Sequence, residues 1–104
     1  MIPERVLQVV DLYEKKFQEL ARNYKDGIPK IDFPHSRFFN VCLPLMADQE
    51  SLGHCWGMLD QMREFVRRDD IEKAVRWLCF IQGVLWRNGV YTIDELREHN
   101  RPES

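Results

Sequence analysis

Apolar side chains recur at helical spacing along most of this chain. Val6, Val10, Tyr13, Phe17, Leu20 and Tyr24 follow at steps of 4-3-4-3-4, one stripe on a helix face. The spacing predicts a first helix over 3–24, entered through Pro3, where a first-turn proline is tolerated because its missing N–H has no intrahelical role. Opposite the stripe, Asp11 and Lys15 stand four apart and suit an ion pair on a solvated surface. The period then stops. Gly27, Pro29 and Pro34 mark 25–35 as a connector, since each proline ring drives its predecessor out of the helical region. Residues 36–46 predict a short helix that Pro44 would break or kink. The stretch 25–47 is expected to be a connector with room for that one element.

The helical period resumes after Asp48, an expected N-cap, with Glu50 suited to the positive end of the helix dipole. Leu52, Cys55, Leu59, Met62 and Val66 form its stripe, and Trp56 widens it. Asp69 and Glu72 have the spacing of a capping box, so one helix ends and the next begins near Arg67-Arg68-Asp69-Asp70. The following helix, over 71–88, is apolar on nearly every face, which predicts burial on several sides or an interface. Gly89 is placed to close it in the left-handed conformation. Thr92 and Glu95 form a capping box for a short last helix over 93–99, ended before Pro102. The chain therefore reads as all-α: a small helical bundle with a long N-terminal helix, a central antiparallel helical hairpin and a short C-terminal helix.

At 104 residues this is expected to be a single helical domain spanning 1–104. The formal net charge of −2 is evenly spread: 1–34 hold six bases and six acids, 35–68 four and four, 69–104 five and seven. With no basic cluster, a dedicated DNA or RNA binder is not expected. Three cysteines, Cys42, Cys55 and Cys79, form no paired spacing, which favours free thiols in a reducing compartment over a disulfide framework. The start Met1-Ile2-Pro3-Glu4-Arg5 lacks the pattern of a secretory signal. The most apolar run, 74–86, is too short for a bilayer, which needs about 20 residues. A soluble protein of the cytoplasm is expected.

Candidate chemistry is sparse. His35, His54 and His99 lack the i,i+4 partners of a metal signature, and neither a metal nor another cofactor is expected. A Cys–His nucleophile pair has no local support, so the cysteines are expected to act as small buried hydrophobes. Gly53, Gly57 and Gly83 fit no phosphate loop; they suggest close helix approach, with Trp56 or Trp77 of a facing helix settling over a missing side chain. Arg63, Arg67, Arg68, Lys73 and Arg76 gather near the expected hairpin turn, though Glu64 and Glu72 stand at i,i+4 to Arg68 and Arg76. Of these, Arg63, Arg67 and Arg76 are the candidates for an anionic ligand such as a nucleotide. Trp77, Phe80 and Trp86 exceed what one hairpin partner covers, and rings of this kind make interface hot spots. Gln82, whose amide needs a partner in that apolar run, completes a candidate partner-binding set. No catalytic constellation emerges.

The segment Arg76-Trp77-Leu78-Cys79-Phe80-Ile81-Gln82-Gly83-Val84-Leu85-Trp86, followed by Gly89-Val90-Tyr91-Thr92-Ile93-Asp94-Glu95-Leu96-Arg97-Glu98-His99-Asn100-Arg101, resembles the C-terminal half of small helical proteins of tailed bacteriophages and prophages. That resemblance covers about a third of the chain and implies a phage origin, with the host cytoplasm as its site of action. Arg76-Trp77-Leu78 is also similar to a helix segment of phage sponges that sequester cyclic-oligonucleotide signals, small helical oligomers that bind an anion. Together these readings lead to the expectation of a non-enzymatic phage accessory protein. It would self-associate as a homo-oligomer and bind a host or phage protein, for instance to inhibit a host process or defence. A nucleotide-binding module is the alternative.

Overall fold

The computed structural model describes residues 1–24, 27–31 and 48–102. Among them are four helices and no strand: α1 Pro3–Asn23, α2 Asp48–Arg67, α3 Ile71–Arg87 and α4 Ile93–Asn100. α2 and α3 form a closely packed hairpin, and α1 lies against it, mainly on α2. The all-α bundle expected from periodicity is what the chain adopts. The short helix expected within 36–46, together with His35 and Cys42, lies outside the described residues.

The core forms where the apolar stripes converge. From α1 come Val6, Val9, Val10, Tyr13 and Phe17; Leu20 and Tyr24, at the end of the stripe, are only partly covered. Leu52, Cys55, Leu59 and Met62 are fully enclosed on α2, as are Ala74, Ile81 and Leu85 on α3. α4 adds one buried side chain, Leu96. Among the described residues no buried side-chain nitrogen or oxygen lacks a partner, as a stable interior requires.

The two ends of the hairpin's helices close in the same way. After α2, Asp70 N–H reaches back to the Phe65 carbonyl at 2.8 Å while Asp69 sits at φ +63°. After α3, Val90 N–H reaches the Leu85 carbonyl at 2.9 Å while Gly89 sits at φ +72°. Both are Schellman closures, with the left-handed residue supplied once by glycine and once by aspartate, which tolerates that region better than most side chains. This displaces the expected cap. Asp69 is spent on the turn, and Asp70 accepts from Lys73 N–H instead. Asp48 is likewise within the first turn of α2, accepting from the Ser51 hydroxyl through its carbonyl. The Thr92–Glu95 capping box forms as expected.

Gly53 allows a close crossing, but of the connector and not of a tryptophan. Ile31 N–H bonds to the Gly53 carbonyl at 3.1 Å, and a Cβ on Gly53 would fall 2.1 Å from the Pro29 carbonyl oxygen. Gly83 faces open space, so close helix packing does not account for it. Ile28 is buried by the same crossing, and Lys30 pairs with Asp60 at 3.0 Å.

Candidate functional site

α3 is buried on one side and bare on the other. Ala74, Leu78, Ile81, Gln82 and Leu85 face inward, while Cys79, Phe80, Gly83, Trp86 and Arg87 share the outer side. Phe80 is 55% exposed and Trp86 52%. Gly83 lies three residues from each ring, and the open space at its Cβ position leaves a shallow strip between them, next to Cys79. Cys79 is exposed, contrary to the expectation of a buried thiol; Cys55 is the buried one. A groove of about 350 Å³ opens beside the strip, between Asp48 and Ser51 of α2 and Phe80, Gly83, Val84 and Arg87 of α3. His54 meets the Phe80 ring edge-on at 6.3 Å, and burial lowers its pKa below the usual imidazole value.

The four residues expected to bind a partner separate into two groups. Phe80 and Trp86 lie on the outer face. Trp77 turns back to the hairpin, half-buried and edge-on to Phe65 at 4.7 Å. Gln82 is internal: its Nε2 donates to the Tyr13 hydroxyl at 3.0 Å and to Asn100 Oδ1 at 2.7 Å, and its Oε1 accepts from Asn100 Nδ2. Its amide sets the register of α1, α3 and α4 within one chain, not across an interface.

The arginines expected to hold an anion already hold carboxylates. Arg63 points towards α1, pairing with Asp11 at 3.1 Å, Glu14 at 3.2 Å and Asp60 at 2.9 Å. Burial opposes its charge, but the hydrogen bonds to Asp11 and Glu14 outweigh that and raise its pKa. Asp11 thus serves the α1–α2 contact, where an Asp11–Lys15 pair was expected. The Trp56 indole N–H donates to Glu14 in the same cluster. Arg67 and Arg68 both pair with Glu64, and Arg76 with Glu72. Lys73 lies over the Phe65 ring at 4.8 Å. The three candidate arginines form no common pocket among the described residues.

A second polar constellation carried no local signal in the sequence. The Tyr13 hydroxyl lies 2.9 Å from His99 Nδ1, and Arg5 donates to the His99 carbonyl at 3.0 Å and the Glu98 carbonyl at 3.3 Å. Its members are scattered from position 5 to position 100, and periodicity relates only neighbours. Among the described residues, no group of three or more His, Cys, Asp or Glu is placed to hold a metal ion, and no helix is long and apolar enough to cross a membrane. Compared with known proteins, the chain matches no family model, no curated protein and no solved structure.

Proposed function

We propose that the chain is a non-enzymatic accessory protein of phage or prophage origin that works in the host cytoplasm. It acts by associating with itself and by docking on a host or phage protein through the outer face of α3. One observation supports this reading above the others: Phe80 and Trp86, two large rings on one helix, each leave more than half of their surface in solvent. Burying such rings is a main source of interface energy, and the low strip at Gly83 lets an opposing backbone come near. Sedimentation velocity over a wide concentration range tests the self-association. Phe80→Glu and Trp86→Glu are expected to shift the species towards monomer and to abolish capture of a host protein, with the unfolding midpoint unchanged. A wild-type chain that stays monomeric throughout and captures nothing that these variants lose refutes the reading.

The nucleotide-binding alternative has less behind it, because each of the three candidate arginines is already engaged by a carboxylate. Calorimetry against cyclic and linear nucleotides decides it. Heat that disappears in Arg76→Ala would revive the sponge reading.

A further inference from the structure

α4 is held to the bundle by one buried apolar side chain and a set of polar contacts, among them a reciprocal amide pair between Gln82 and Asn100. Leu96 is its single buried side chain. Among the described residues its polar attachments include the Arg5 bonds to two α4 carbonyls, the Gln82–Asn100 amide pair and the Tyr13–His99 contact, and the Tyr91 ring packs on His99. Both Gln82 Nε2 hydrogens are used, one on Asn100 and one on the Tyr13 oxygen. The buried Tyr13 hydroxyl, accepting from Gln82, donates its own hydrogen to His99 Nδ1 when the ring carries its hydrogen on Nε2. This arrangement requires a neutral imidazole with its hydrogen on Nε2.

We propose that His99 makes α4 an acid-released latch: a proton on Nδ1 turns the acceptor into a donor, leaves the buried Tyr13 hydrogen without a partner, and frees α4 from α1 and α3. The charges around the ring decide the balance. From α1, the Arg5 guanidinium binds the His99 carbonyl and opposes a second positive charge; Lys16 sits over the neighbouring Tyr91 ring at 5.4 Å. Tyr13 and Tyr91 meet the imidazole edge-on at 5.4 and 4.7 Å and leave it partly buried. α3 presents Gln82, which is uncharged. On α4 itself, Glu95 and Glu98 favour the imidazolium. Desolvation with Arg5 outweighs the two carboxylates, so the docked ring binds a proton less well than a free one. Undocking restores ordinary basicity, and acid therefore favours the undocked form. Docking weakens as pH falls through the usual imidazole range, and the loss levels off below the docked value. Release bares Leu96 and Tyr91.

The test is amide hydrogen exchange by NMR on the full chain, with the His99 ring titrated in the same samples, from about pH 7.5 to about pH 5. Amides of 94–100 are expected to lose protection together in a one-proton step, while those of α2 keep theirs. His99→Asn keeps a carbonyl acceptor near Tyr13 without titrating, and its α4 protection is expected to be flat with pH. His54→Asn is expected to leave the wild-type step in place. Should His99→Asn not dock α4 at all, Tyr13→Phe gives an independent reading, with the His99 midpoint moving up towards that of a free imidazole. α4 protection that stays constant while His99 titrates overturns the latch; this is the outcome if the Gln82 and Asn100 amides turn over together and let Tyr13 accept from the ring. An unmoved His99 midpoint in Tyr13→Phe overturns it as well.

Discussion

The Tyr13 hydroxyl stands 2.9 Å from Nδ1 of His99, linking the middle of α1 to the last full turn of α4 across 86 positions of sequence. Because Gln82 donates to the same oxygen, one phenolic group serves three helices. Tyr13→Phe keeps the ring and its packing but leaves the His99 nitrogen and one Gln82 N–H short of a partner. The expected cost is about 1–3 kcal/mol, as for buried polar groups losing a hydrogen bond. Urea denaturation measures it, and a variant as stable as the parent would show that the hydroxyl contributes nothing net.

Stability should fall from neutral to mildly acidic pH. His99 and His54 both have folded pKa values below the usual imidazole value through burial, joined at His99 by Arg5. The unfolded chain then binds more protons between the folded and unfolded values, so stability is full above the ordinary imidazole range and declines below it. A second decline is expected in and below the carboxylate range, where Asp60 is involved. Its hydrogen bond from Lys30 holds its pKa low, and that contribution is lost as pH falls from the ordinary carboxylate value through the depressed one. Thermal melts across pH check both steps. A rise in melting temperature between neutral pH and the imidazole range would contradict the first.

The two described thiols should differ sharply in reactivity. Cys79 lies in the open on α3, whereas Cys55 is enclosed between the helices and burial pushes its pKa up to about 12. The thiolate is the reactive form, so enclosed Cys55 is protected twice over. In a Cys42→Ser background, a thiol reagent at mildly alkaline pH is expected to modify Cys79 rapidly and Cys55 only on unfolding. Mass spectrometry of the native sample reports the order directly. Equal labelling of both would mean that the α2–α3 packing opens readily.

Where helices run and which side they bury was readable from the chain, because the apolar period and the burying face are one property. Val6, Val10, Tyr13 and Phe17 became core for that reason, and Thr92 with Glu95 carried its own cap. Details set by neighbouring elements were not readable. The Asp69 spacing suggested a cap, but closing α2 required a left-handed residue there and moved the cap to Asp70. Gln82 was recognised as an amide in need of partners, yet its partners Tyr13 and Asn100 are brought to it by the packing of two other helices. The excess of rings on α3 was legible as such; that Trp77 would fold back on Phe65 while Phe80 and Trp86 stayed outside depended on how α2 crosses it.

Two of the helical glycines, Gly53 and Gly83, should respond to alanine with opposite signs. A methyl group at Gly53 would lie 2.1 Å from the Pro29 carbonyl oxygen, a backbone atom fixed by the connector's crossing. Gly53→Ala must push that segment away, disturb the Ile31–Gly53 hydrogen bond and uncover Ile28. The expected loss is about 1–3 kcal/mol, the range for overpacking an interior. At Gly83 nothing lies within 4 Å, and its backbone is helical, so Gly83→Ala removes unfolded-state freedom without a clash. A gain of about 0.5–1 kcal/mol is expected. The same methyl would stand in the strip between Phe80 and Trp86, so a more stable Gly83→Ala chain should also associate more weakly. Paired denaturation and sedimentation measurements separate the two effects. Unchanged association with higher stability would mean that no partner backbone approaches α3 at Gly83.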